Sequence, residues 1–157
     1  MIYLGGRART VGEGEILAKQ ALQGHGGLEK LRNFITKQGG DARVIDDYSL
    51  FGAASVQRDY VAKGPAVVQA IDARAIGMAS QRTGAGREKK EDSIDFAAGV
   101  YLHKKVGDKV VRGDVIATVY GNNKKKVEAA VKEVEAAYTL GQEKVQAPKL
   151  VKQVLGL

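Results

Sequence analysis

The densest chemistry in this 157-residue chain lies in one short stretch, Gly84-Ala85-Gly86-Arg87-Glu88-Lys89-Lys90-Glu91-Asp92-Ser93-Ile94-Asp95, with two glycines, three cations and four acids. Arg87 offers a planar, permanently charged fork suited to a carboxylate, a phosphate or a pair of carbonyls. Gly84 and Gly86 give the backbone freedom to reorient, as lid loops often require. A self-contained phosphate cradle would need glycines that open onto a helix N-terminus, followed by a lysine and a hydroxyl. Here the glycines close a helix, and the G-x-x-x-x-G-K-[ST] spacing is absent. Two readings stay open. The stretch is either a charged connector held by its own arginine–acid pairs, or a loop that meets another surface during closure. On the second reading Gly84, Gly86, Arg87, Lys90, Glu91 and Asp92 make the closure contacts.

Other reactive residue types are poorly placed for catalysis. The neighbouring carboxylates Asp46-Asp47 and Glu91-Asp92 project to different sides of any helix or strand, so neither forms an acid–base dyad. His25 sits among glycines and His103 beside two lysines; both read as structural, and no partners surround His103 to hold a metal. The serines lack a nucleophile elbow. The absence of cysteine removes disulfides, thiolate nucleophiles and cysteine metal sites. The residues therefore assign no catalytic group, no metal and no cofactor.

The elements that must position the loop follow from periodicity and punctuation. Met1 to Leu4 followed by Gly5-Gly6 reads as the last turn of an apolar helix and its glycine stop. Thr10 and Glu13 match a capping box for a helix over 11–23. A second helix is expected over 28–38, with Leu28, Leu31, Phe34 and Ile35 as its stripe, ended by Gly39-Gly40. One more helical turn fits 41–47. Strands are expected over 55–62, 65–71, 96–102, 110–111 and 115–120. Asp72 caps a helix running to Gly84. Gly107-Asp108 and Gly113-Asp114 bracket a short segment and predict a tight β meander. The spacing of Val127, Val131, Val134 and Tyr138 predicts a helix over 124–140, with a Glu128–Lys132 pair on its surface. Residues 145–157, broken by Pro148, are expected to be extended.

A net charge of +7, from 25 basic and 18 acidic residues, favours anionic partners only moderately. The cations are spread along the chain in pairs and one triplet, Lys124-Lys125-Lys126, without base-stacking aromatics, so a nucleic-acid partner is not expected. No run reaches the roughly 20 apolar residues of a membrane span. Neither a membrane nor a signal peptide is expected, and the cytoplasm is the expected compartment.

The segment from Val100 to Tyr120 is similar to a biotinyl or lipoyl carrier half, but no lysine stands between methionines, which occur only at Met1 and Met78. A fuller resemblance is carried by Met1 to Gly6, Gln38-Gly39-Gly40-Asp41 with Val44-Ile45-Asp46-Asp47, the 84–95 loop, and Leu102 to Tyr120. In that order they resemble the C-terminal region of the pyrimidine nucleoside phosphorylase and thymidine phosphorylase family. The resemblance implies an α+β chain in two parts. Residues 1–52 would be the last helices of a catalytic α/β domain, and residues 53–157 a hammerhead or barrel-sandwich-like C-terminal domain. The implied activity is reversible phosphorolysis of a pyrimidine nucleoside to free base and pentose 1-phosphate, without a cofactor, in a homodimer. The family's phosphate-binding K-H-S-T-G-G-V-G-D segment and its base-binding segment are not in this sequence and would lie upstream of it. No catalytic or substrate-binding residue is therefore carried over, and the chain is expected to need that N-terminal half and to be inactive alone. The second reading is a free-standing barrel-sandwich module that binds a protein or an acidic partner.

Overall fold

The computed structural model describes residues 1–87, 89–153 and 155, which divide into the units Met1–Phe51 and Gly52–Leu157. In the first unit, local caps set the elements. Thr10 is extended and its hydroxyl accepts the Glu13 N–H at 3.1 Å, starting helix α1, Val11–Gln23. The expected capping box is altered: the Glu13 carboxylate takes the Arg9 N–H at 2.7 Å instead of returning to Thr10. Helix α2, Gly26–Lys37, begins before residue 28, with His25 at its N-cap making no side-chain bond. It ends where Gly39 turns to a φ of 77° and the Gly40 N–H reaches back to the Ile35 carbonyl at 2.9 Å. The same arrangement occurs at Gly6, whose neighbour Arg7 donates to the Ile2 carbonyl at 3.1 Å, so the expected closing turn is present. A 3-10 turn, Ala42–Ile45, is capped by the Asp41 carboxylate. Arg32 grips Asp46 with two bonds of 3.0 and 2.9 Å. A second such turn, Tyr48–Phe51, has no counterpart in the sequence reading. Leu22, Leu28, Leu31 and Phe34 remain exposed.

The second unit contains β1 (Val56–Val61), β2 (Ala66–Ile71), α3 (Ala73–Ser80), β3 (Gly99–Leu102), β4 (Lys109–Val110), β5 (Val115–Gly121), α4 (Lys124–Ala137) and β6 (Tyr138–Gly141). The strands form two antiparallel three-stranded sheets, ordered β1-β5-β3 and β4-β2-β6. The class is α+β, as expected, and no barrel closes among the described residues.

Two expectations change. The meander does not run strand to next strand: β3 pairs with β5, while β4 crosses to β2. The cause is the Gly107-Asp108 turn, which is stitched to β2. Gly107 donates to the Val68 carbonyl and Val68 donates to the Asp108 carbonyl, each at 2.9 Å. The helix expected over 124–140 stops at Ala137, because Tyr138 turns extended and starts an edge strand on β2. Its ring meets Tyr60 edge-on at 5.8 Å, and its hydroxyl donates to the Lys104 carbonyl at 3.0 Å. Tertiary partners thus outbid helical continuation for an aromatic and a β-branched residue that favour strands anyway. Glu128 pairs with Lys124, at 4.0 Å, in place of the expected Lys132.

The core lies where α4 packs against α3, β1 and β5. Ile116, Val68, Val119, Val127 and Val134 are fully buried, and each such side chain contributes about 1.5–3 kcal/mol by leaving water. Residues 142–153 form neither helix nor strand. No helix among the described residues is long and apolar enough to cross a membrane.

Candidate functional site

The 84–95 loop grows out of α3. Asp72 caps that helix by accepting the Arg74 and Ala75 N–H groups at 2.9 and 3.0 Å. The helix then widens into a π-type turn, Gln81–Ala85. Buried Thr83 donates to the Ser80 carbonyl at 2.6 Å, and Arg82 forms a salt bridge to Glu133 of α4. At Gly84 the chain reverses with a φ of 114°. A side chain there would be strained in its backbone and would place a Cβ 3.2 Å from that of Asp95.

Asp95 closes the loop. Its N–H donates to the Gly84 carbonyl at 2.9 Å. Its carboxylate accepts the Asn122 amide at 2.9 Å and the Ala97 N–H at 3.1 Å. Asn122 in turn accepts the Ser55 N–H at 2.8 Å. Within the loop, Lys89 and Asp92 form a tight turn: the Asp92 N–H donates to the Lys89 carbonyl at 3.1 Å, and the Lys89 N–H to the Asp92 carboxylate at 2.9 Å. The Gln81 amide holds the Arg87 carbonyl. With its two ends joined through Gly84 and Asp95, this is an Ω-type loop whose described residues between Arg87 and Ile94 are exposed.

Beneath it is a half-open cleft of about 320 Å³ lined by Gln81, Gly84, Gly86, Lys89, Asp92, Ser93 and Lys126. Gly84, Gly86 and Asp92 from the sequence reading therefore come together there. Arg87, Lys90 and Glu91 are exposed and lie outside the lining, and Glu88 lies outside the described residues. Among those residues Arg87 makes no salt bridge, so the arginine–acid pairing expected of a plain connector is replaced by the Gly84–Asp95–Asn122 closure. Gln81, Lys89, Ser93 and Lys126 were not singled out. The lysine triplet was visible in sequence, but nothing local ties Lys126 to a loop more than thirty positions away; the packing of α4 against α3 does. Phe96, next to the anchored Asp95, is 92% exposed.

His103 is tied into the sheet. The Thr118 hydroxyl, buried on β5, donates to Asp59 at 2.7 Å and lies 2.8 Å from His103 Nε2. Having given its hydrogen to Asp59, it accepts from Nε2, and the imidazole leans on Tyr101 at 4.8 Å between ring centres.

Residues 67–141 match the family model of the pyrimidine nucleoside phosphorylase C-terminal domain. Over 155 residues, 99% of the chain, the sequence is 36% identical to a pyrimidine-nucleoside phosphorylase of Staphylococcus haemolyticus (strain JCSC1435) and 37% identical to one of Staphylococcus aureus (strain USA300). These alignments cover 35% of each relative, so the chain spans about a third of the length of the curated relatives it matches. The matched domain runs from β2 to the last residue of β6 and encloses the whole 84–95 loop. That stretch is thus similar to the C-terminal domain of the pyrimidine nucleoside phosphorylase family, and nearly the whole chain is similar to about a third of these relatives.

Proposed function

We propose that this chain serves as the C-terminal part of a cytoplasmic pyrimidine nucleoside phosphorylase, which converts a pyrimidine nucleoside and phosphate to free base and pentose 1-phosphate. The reading is carried by the alignment of nearly the whole chain with phosphorylases at 36–37% identity. In it, Met1–Phe51 supplies the terminal helices of the catalytic α/β domain. Its exposed Leu22, Leu28, Leu31 and Phe34 suit a surface that the rest of that domain covers. Gly52–Leu157 is the scaffold that holds the 84–95 loop at the closing cleft of a homodimeric enzyme.

The chain by itself is inert on this reading, since it contains no K-H-S-T-G-G-V-G-D segment to place phosphate behind the sugar. Incubation of the purified chain with uridine or thymidine and phosphate should release no base above a mock preparation; sustained turnover would overturn this division of labour. In a full-length phosphorylase ending in this sequence, Arg87→Ala should lower turnover while leaving the thermal melt nearly unchanged, because its guanidinium is exposed and poised to latch. Unaltered kinetics would retire Arg87 as a closure contact.

A further inference from the structure

Three residues with donor side chains line the cleft beneath the loop, and no described residue takes up those donors. Lys89, Lys126 and Ser93 line one concavity, and none of their side chains has a hydrogen-bond or salt-bridge partner among the described residues. The one carboxylate in the lining, Asp92, is turned to the Lys89 N–H. Among the described lining residues two cations stand against one engaged acid, and the lining is mostly polar.

We propose that this cleft binds a phosphate-class dianion, either inorganic phosphate or the phosphoryl group of a small monoester. Two ammonium groups and a hydroxyl suit a compact oxyanion carrying more than one charge, which can accept charge-assisted bonds from each. The glycine spacing of the loop does not make a phosphate cradle. The site arises because α4 delivers Lys126 to the loop, and a low-lying volume of about 320 Å³ leaves room for an organic group beyond the phosphoryl head. The inference goes beyond the phosphorylase reading and does not require it.

The test is a titration of the isotopically labelled chain, followed by amide NMR, with inorganic phosphate, with glycerol 3-phosphate and with chloride at matched ionic strength. No nucleoside is present, so the outcome is separate from that of the phosphorolysis assay. Saturable shifts at Gly84, Gly86, Lys89, Ser93 and Lys126 are expected with one or both phosphate compounds and not with chloride; the tighter of the two identifies the source. Lys126→Ala should weaken binding about tenfold, the scale of one charge-assisted contact. Lys90→Ala, on the same loop but outside the lining, should change it little, and Asp92→Asn should tighten it. Shifts that chloride reproduces, or equal weakening by Lys126→Ala and Lys90→Ala, would reduce the effect to general charge screening and overturn the proposal.

Discussion

Met1–Phe51 and Gly52–Leu157 are built on opposite principles. The first has well-formed caps at Thr10, Asp41, Gly6 and Gly39, yet none of its hydrophobic residues is buried. Every buried hydrophobic residue among those described belongs to the second unit, where strands from distant parts of the sequence pair around α4. Caps and periodicity define where helices form. They do not hold helices together, because most helical stability comes from burying an apolar face. The comparison teaches that the second unit carries its own stabilising core, while the first relies on local bonds.

The largest break in that comparison should come from the core. Ile116→Ala removes a fully buried side chain from β5 and should destabilise the second unit by about 2–5 kcal/mol. Leu22→Ala, at 85% exposure in α1, should stay within about 0.5 kcal/mol. Amide hydrogen exchange resolves both units at once: β5 should be the slow set and α1 and α2 the fast one. Equal, slow exchange throughout a demonstrated monomer would dissolve the distinction.

Next is a matched pair of glycines. Gly84→Ala and Gly39→Ala both meet a penalty for a positive φ, but at 114° Gly84 lies further beyond the left-handed region than Gly39 at 77°, and only Gly84 also has Asp95 in the way. Gly84→Ala should cost about 1–3 kcal/mol and disturb the amides of the loop, whereas Gly39→Ala should sit at the lower end of that range and alter only the end of α2. Urea melts that rank Gly39→Ala as the more damaging change would show that the loop closure bears no strain.

Tyr138 sharpens the contrast further. Burial first, then the neighbouring Tyr60 and Asp108, push its phenol up to about 12. Because the folded value lies above the unfolded one near 10, this group's stabilising share is complete below about pH 10 and is lost as pH rises toward about 12. Tyr138→Phe should flatten that alkaline loss in the second unit. At neutral pH it should cost about 1 kcal/mol for the bond to the Lys104 carbonyl. An alkaline limb unchanged by the substitution would assign it to other groups.

The smallest effect belongs to the first unit in acid. Arg43 and its N–H hold Asp41 down at about 2, and Arg32 lowers Asp46. Asp41 adds stability above the usual value near 4 and surrenders it as pH falls toward about 2, and Asp46 loses its share in the same direction. Both are exposed, so salt should screen the pairs. Helical circular dichroism of the first unit should decline slightly and monotonically across this window, less so in high salt. A gain in helix on acidification would reverse the assigned sign.

Sequence alone determined what depends on neighbours within a few positions. The Thr10 and Asp72 caps, the glycine stops, and the turns at Asp108 and Asp114 were legible because their bonds span two to five residues. The charged loop was legible from composition, and the resemblance to the phosphorylase C-terminal domain from the order of its segments. The tertiary structure decided what depends on distant partners. Stitching of the Gly107 turn to β2 moved β4 into another sheet, and pairing with β2 ended α4 at Ala137. Packing of α4 carried Lys126 to the loop, and the Asn122–Asp95 bond, across 27 positions, closed it. Such contacts leave no periodic trace, because each is selected by the surface that two elements share and not by the spacing within either one.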